Sequence, residues 1–403
     1  MFWLNRTSPS IFLGAVLLLC CSAANTAASA AAEEEAALFA ELDALLRDPL
    51  EDVEPPAVDR PPGVPPRVWQ TTASTGLRLG YTTNALLSED ALAMPYVTAT
   101  MDTSIMSMSE RGSLIFMVSG ENRRFLGDSA PDDERLALLL TRVETEAPLV
   151  DLGAETGTMY AKQAFDAAVS PLPQTPEAGF VTQTLPFARM WVRHYPFPRT
   201  ALEWSIRADR AFFGDSVDDY TSGMARLRLS YSLMPGVLFH LAGERLETRY
   251  DKREPRLANG LPVADARLRL DTWRGEAELE VRSRGRFPVR AGLRAFVEER
   301  DDGMRGYYAR TSRGLDGRAS VRWQGWRGSV HGRYEDSPFP ARLVSFAAGE
   351  TVTQRRRSGA LSVERTLGRW RIGGMVQRTR FLSNAEFETY TVNQYELSAI
   401  FNF

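Results

Sequence analysis

Beyond residue 30 the chain has no cysteine, only two lysines (Lys162 and Lys252) and no apolar run of eighteen residues. The first absence excludes a disulfide framework, and the last excludes a bundle of membrane-spanning helices. Three histidines, His194, His240 and His331, with no two at ligand spacing, argue against a histidine-built metal centre, so no metal or cofactor is expected. Hydrophobic residues make up 44% of the sequence and the mean hydropathy is −0.26. A membrane protein of that composition has to cross with strands, closed so that every backbone group is satisfied.

What is present divides the chain into four parts. Arg6, an apolar stretch from Ile11 to Cys21 and the small residues Ala28-Ser29-Ala30 have the pattern of a secretory signal, so residues 1–30 are set aside as a signal peptide. A membrane anchor is the alternative, but the apolar stretch is about half the length a span requires. Within residues 31–48, Glu33 to Leu46 reads as an amphipathic helix with Leu38, Phe39, Leu42, Leu45 and Leu46 on one face. Residues 49–67 hold seven prolines and read as a stiff, extended linker. Residues 31–67 carry ten acids against three arginines. Docking on the rest of the chain, binding a separate partner and staying disordered all remain open for this arm.

From residue 68 onward, segments of about ten residues alternate apolar and polar, the period of a strand with two different faces. Val97, Ala99, Met101 and Ile105 alternate with Thr98, Thr100, Asp102 and Ser104; Ala277, Leu279 and Val281 alternate with Glu276, Glu278 and Glu280. The connections alternate in length. Short ones lie at 109–112, 195–199, 233–236, 283–287, 324–328 and 367–369, and long ones at 83–94, 166–179, 251–265, 301–314 and 336–353. A soluble sandwich has no reason to sort its loops in this way. The expected fold is therefore all-β, a transmembrane antiparallel up-and-down β-barrel over residues 68–403 with about sixteen strands, fourteen to eighteen being compatible. Strand 5 and the stretch 306–318 carry the weakest pattern. Tyr195, Phe197, Phe287, Trp326 and Trp370 adjoin the short turns, where an interfacial aromatic girdle belongs.

The last strand places Tyr395, Leu397, Ala399, Phe401 and Phe403 on one apolar face, with Ile400 out of pattern. It resembles the terminal strand by which outer-membrane proteins of Gram-negative bacteria are recognised by the barrel assembly machinery. That resemblance implies an outer-membrane location, lipid and lipopolysaccharide as surroundings, and both termini in the periplasm. The segment Leu79-Gly-Tyr-Thr-Thr-Asn-Ala85, with Thr82 where aspartate is usual, is similar to the first strand of barrels associated with exopolysaccharide export and of surface lipoprotein assembly modifiers.

Arginine is the outstanding residue: of 48 basic residues all but two are arginine. The alternation puts Arg207, Arg226, Arg228, Arg290, Arg294, Arg322, Arg333 and Arg371 on the lumen face, together with Glu203, Glu276, Glu278, Glu280, Glu298 and Glu364. Such a wall either selects permeant solutes by fixed charge or simply avoids burying unpaired charge. Interleaved acids argue against nucleic-acid binding. Ser329 and His331 share a strand face, the minimum for a hydrolase pair, but no orienting acid is evident, and Asp218-Asp219 and Asp301-Asp302 are acid pairs by position alone. No enzymatic activity is expected. The expected function is a porin-like channel for small hydrophilic solutes; the alternative is an export or assembly barrel for polysaccharide or surface lipoprotein, whose acidic arm engages a periplasmic partner.

Overall fold

A computed structural model describes residues 68–403 apart from 87–91, 110–111, 128–132, 148, 167–177, 215–217, 258–260, 284–286, 305, 345–348 and 386–388. The signal peptide, amphipathic helix and proline-rich linker expected for residues 1–67 lie outside the described residues. The described chain is all-β, with no helix among the described residues. Sixteen strands follow one another: β1 (Val68–Thr82), β2 (Met94–Ser109), β3 (Gly112–Phe125), β4 (Glu134–Glu146), β5 (Val150–Asp166), β6 (Ala178–Phe197), β7 (Thr200–Phe213) and β8 (Tyr220–Met234). Then come β9 (Val237–Tyr250), β10 (Arg269–Ser283), β11 (Val289–Asp301), β12 (Arg310–Trp323), β13 (Trp326–Leu343), β14 (Thr351–Leu367), β15 (Trp370–Ser383) and β16 (Tyr390–Asn402). Each pairs antiparallel with its sequence neighbours, and β1 pairs with β16 to close the barrel.

The pleat sorts the side chains. Large apolar residues on the outward face are exposed, among them Leu79, Met101, Trp204, Leu241, Leu293, Leu361 and Leu397. An apolar outer surface with charges turned inward is the inverse of a soluble barrel and suits a hydrocarbon surround. Outward aromatics gather at the short-turn end, where Phe287 lies 6.3 Å from Trp323 and Trp370 lies 5.0 Å from Phe401. Tyr81, Phe212 and Trp273 are exposed toward the other end. Leu293 stands at the middle of the outward run of β11 and is 56% exposed. Leu293→Arg should cost about 2–4 kcal/mol of folding free energy, the depth-dependent penalty of a charge at the bilayer midplane. Denaturant unfolding of vesicle-embedded protein checks this, and a cost below about 1 kcal/mol would move Leu293 away from the midplane.

The hairpin turns follow from local chemistry. Gln324 and Gly325 both have positive φ (47° and 82°) and join the paired Trp323 and Trp326, a two-residue turn whose twist matches the strands. Met234-Pro235-Gly236-Val237 sets proline before a glycine at φ 80°.

Two expected long loops are shorter than the sequence pattern indicated. β12 begins at Arg310, inside the stretch 301–314, and β13 continues to Leu343, inside 336–353. Beyond the apolar belt the outward residues become charged, as at Arg313 and Asp336, so the alternation that marks a strand disappears while the ladder continues. The connection between β4 and β5, at 147–149, is a further short turn that the pattern did not show. Ile400 is not a break in pattern: it faces inward on β16, opposite Gly76 of β1. Tyr395, Leu397, Ala399, Phe401 and Phe403 stand on the outward parity, and the Phe403 amide donates to the Ala73 carbonyl at 2.9 Å.

Candidate functional site

Three regions of the barrel's inward face stand out beside the Arg78–Glu121 and Arg123–Glu134 pairs of β1 to β4. On β6 to β13 the face is a mesh of guanidinium and carboxylate groups. Glu203 accepts from Arg193 at 2.8 Å and from Arg189 at 3.1 Å. Glu276 is a hub: Arg226 of β8 bonds it directly, while Arg274 and Arg294 stand at 3.7 and 3.9 Å. Glu278 meets Arg228 and Arg318, each at 3.5 Å, and so links β8 to β12 across three intervening strands. Glu280 takes Arg282 at 2.7 Å and Arg290 at 2.9 Å. Further round, Glu298 meets Arg310 at 3.2 Å, Asp316 meets Arg294 at 3.7 Å, and Arg333 pairs with Glu335 at 2.6 Å. Much of this mesh is buried, Glu298 being 1% exposed and Arg274 3%. Carboxylates shared among several forked guanidiniums compensate one another where no water reaches.

The second region is apolar. Leu138 and Leu140 of β4, Met159 of β5, Leu185 and Phe187 of β6, Tyr220 and Tyr250 form a continuous buried cluster with Leu268 and Tyr308. The last two belong to the connections 251–268 and 302–309, so each connection places a side chain inside the barrel at its long-loop end. Arg253 is 5% exposed, pairs with Asp218 at 3.0 Å and lies 5.5 and 5.6 Å from the rings of Tyr250 and Tyr308. The Asp302 carboxylate accepts the amides of Met304, Gly306 and Tyr308 at 3.1, 2.9 and 3.1 Å.

The third region, from β14 round to β16, carries neutral polar groups between a few charges, Arg356, Glu364, Arg371 and Glu396. Ser358, Ser362, Gly373, Gln377, Gln394 and Ser398 face inward there and are only half-buried.

Of the residues singled out by alternation, Arg226, Arg228, Arg290, Arg294, Arg333, Glu276, Glu278 and Glu280 come together in the mesh. Arg207 faces inward apart from them, 2.9 Å from Asp209 and 4.9 Å from the Phe187 ring. Arg322 and Arg371 stand at the short-turn mouth, where no carboxylate among the described residues pairs with either. Missed by the pattern were Arg189, Arg274, Arg310, Asp316, Glu335 and Glu244, which stands 4.0 Å from Arg226. Arg189 alternates with Trp191 on an inward face that an aromatic disguised as outward, and Arg310 and Asp316 lay where the strand pattern was weakest. A run such as Leu138-Leu139-Leu140, apolar on both faces, was the available signal for the inward apolar cluster.

The candidate hydrolase groups have other partners. Ser329 bonds Ser362 at 2.6 Å, and His331 bonds Asp316 at 3.1 Å, an acid that sequence spacing had not supplied. His240 bonds Ser230 at 2.8 Å, and His194 stands on the outward parity of β6. Asp219 accepts the Phe213 amide and Asp301 the Gly303 amide, so both positional acid pairs serve loop structure. Among the described residues no group of three histidines, cysteines or acids could hold a metal.

No protein family and no curated sequence matches the chain. Solved structures with a similar fold include the outer-membrane protein OpdK of Pseudomonas aeruginosa, 12% identical over 83% of this chain and 99% of that one, TM-score 0.44. OccAB3 of Acinetobacter baumannii is 11% identical over 83% and 99%, TM-score 0.44. CdiB of the same organism is 9% identical over 82% and 60%, TM-score 0.45. At these identities the likeness is one of barrel architecture.

Proposed function

We propose that this protein is an outer-membrane channel that passes small hydrophilic solutes along the serine- and glutamine-bearing wall of β14 to β16, with the arginine–carboxylate mesh setting charge preference. The observation that carries the reading is the division of the lumen: the arginine–carboxylate mesh lines β6 to β13, while on β14 to β16 serine, glycine and glutamine separate a few charges. Hydroxyls and amides offer exchangeable hydrogen bonds to a passing polar solute, while fixed charges nearby bias which ions enter. In this reading the short turns and both termini are periplasmic. Purified protein in planar bilayers should give stable conductance steps; a barrel that never conducts, even with its long loops unseated, ends the proposal.

Glu276 offers a sharper test. Glu276→Gln removes one negative charge and leaves Arg226, Arg274 and Arg294 with less compensation. Reversal potentials in a salt gradient should shift toward anion preference, and stability should fall by about 3–5 kcal/mol, the cost of breaking a buried pair. An unchanged reversal potential would remove the mesh from the conducting path.

A second reading, an export or assembly barrel, is favoured by one feature. Arg282, Arg290, Arg322, Arg327 and Arg371 crowd the short-turn mouth against Glu280 and Glu364. β1 starts at that same end, directly after the acidic residues 31–67. Deleting 31–67 should leave conductance and its selectivity intact in a simple porin; loss of a surface polymer or surface lipoprotein on deletion would favour export.

A further inference from the structure

Not all charge is inside. At the long-loop end the outward faces of the strands are also charged, and they differ from one side of the barrel to the other. On β9 and β10 every one of these arginines has a carboxylate partner: Arg245 pairs with Asp271 at 2.7 Å, and Glu247 takes Arg249 directly and Arg269 at 3.0 Å. On β14 and β15 that does not hold. Arg355, Arg357, Arg378 and Arg380 are all outward and exposed. Arg357 and Arg380 stand directly opposite each other in register, the cross-strand placement in which like charges destabilise a sheet. Arg355 reaches Asp336 at 3.0 Å, but that carboxylate is shared with Arg313 at 3.2 Å. Among the described residues no carboxylate pairs with Arg357, Arg378 or Arg380. Their neighbours on β16, Asn393 and Thr391, are neutral.

The height of this patch says what surrounds it. Below it lie lipid-facing Leu361, Val376, Tyr395 and Leu397, all 47–68% exposed. From Trp370 in the short-turn girdle to Arg378 and Arg380 is eight and ten residues of β15, which at about 3.3 Å each and a tilt near 40° rise about 20–25 Å. The apolar band of such a barrel is about 25 Å tall, so the arginines sit where hydrocarbon gives way to headgroups. Tyr334, 5.7 Å beneath the Arg357 guanidinium, has the interfacial position aromatics favour.

We propose that Arg355, Arg357, Arg378 and Arg380 form a binding site for the phosphate groups of an anionic glycolipid in the leaflet at the long-loop end. Planar guanidiniums match phosphate oxygens two at a time, and one phosphate between Arg357 and Arg380 turns a repulsive pair into a clamp. The site rests on the outer-membrane reading, in which that leaflet is the outer one, and is independent of what the lumen carries.

The test uses the full chain extracted from outer membranes in mild detergent, with bound lipid measured by native mass spectrometry and affinity by titration with phosphorylated glycolipid. Arg357→Gln/Arg380→Gln should weaken binding at least tenfold, while Arg245→Gln on β9 leaves it unchanged. Removing the phosphates from the glycolipid should have the same effect as the double substitution. Equal retention by wild type and double variant overturns the site. So does displacement by millimolar inorganic phosphate, which would make it a free-anion site, or binding of phosphatidylglycerol alone. Heat-modifiable gel mobility, recorded on every variant, reports insertion separately, so a failed lipid site leaves the membrane reading standing.

Discussion

Gly80→Ala should destabilise the barrel by about 2.5–6 kcal/mol, combining an overpacking cost of about 1–3 with loss of a hydrogen bond to a charged group worth about 1.5–3. A Cβ at Gly80 would lie 2.2 Å from Cζ of Tyr96, its register partner on β2. Because position 80 carries no side chain, Tyr96 crosses the β1 backbone and donates its hydroxyl to Glu396 of β16 at 2.6 Å. One side chain thereby ties the second strand to the last across the seam that closes the barrel. That seam is short: β1 pairs with β16 only from Ser74 to Thr82, but with β2 along its whole length. Tyr96 is held on its other side by Phe125 at 5.9 Å and by the Arg123 guanidinium at 4.8 Å, so the ring has little freedom to yield. Urea unfolding in vesicles measures the loss, and a double-mutant cycle identifies its source. If the cost lies in the displaced ring, Gly80→Ala in a Tyr96→Ala background should cost less than about 1 kcal/mol, the ordinary non-disruptive scale. Additive costs would show that Gly80 matters for some other reason.

The same device recurs where glycine stands opposite an aromatic in register: Gly153 with Trp191, Gly157 with Phe187, Gly314 with Phe296. A strand alternation rule scores these glycines as gaps and the inward aromatics as anomalies. Only the register shows that each ring covers the backbone its glycine partner leaves bare. This marks the limit of what the sequence made legible. Barrel class, strand number and the inward parity of Glu276 or Arg294 follow from a period of two, which needs no knowledge of neighbours. Which carboxylate serves which guanidinium does not, because Glu278 meets Arg228 and Arg318 through strand order and stagger. Nor does the inward folding of Leu268 and Tyr308, since a long loop reads the same whether it points into water or into the lumen.

Asp302→Ala should raise single-channel conductance several-fold by releasing the two loops that place Leu268 and Tyr308 inside the long-loop end. Asp302 is 3% exposed and is the internal anchor of the connection 302–309, its carboxylate gathering three backbone amides. Removing it leaves those amides with no replacement acceptor, at about 1–3 kcal/mol for each that stays buried. The connection has little with which to offset that: burial of Tyr308 contributes about 1.5–3 kcal/mol by analogy with other large apolar side chains. Once Tyr308 leaves, Arg253 loses one of the two rings beside it, and the Tyr307 amide no longer donates to the Arg256 carbonyl at 3.2 Å. The loop 251–268 is thus coupled to 302–309 through Arg253 and Arg256, and both should open together. Tyr308→Ala separates anchor from plug: it should raise conductance by a smaller factor, because Asp302 still holds the loop backbone in place. Protease cleavage within 251–268, added on the long-loop side, should accelerate in Asp302→Ala. If that loop becomes cleavable while conductance stays at the wild-type value, the constriction lies deeper, among the buried side chains of the mesh, and the loops are a cover over a barrel already closed beneath them.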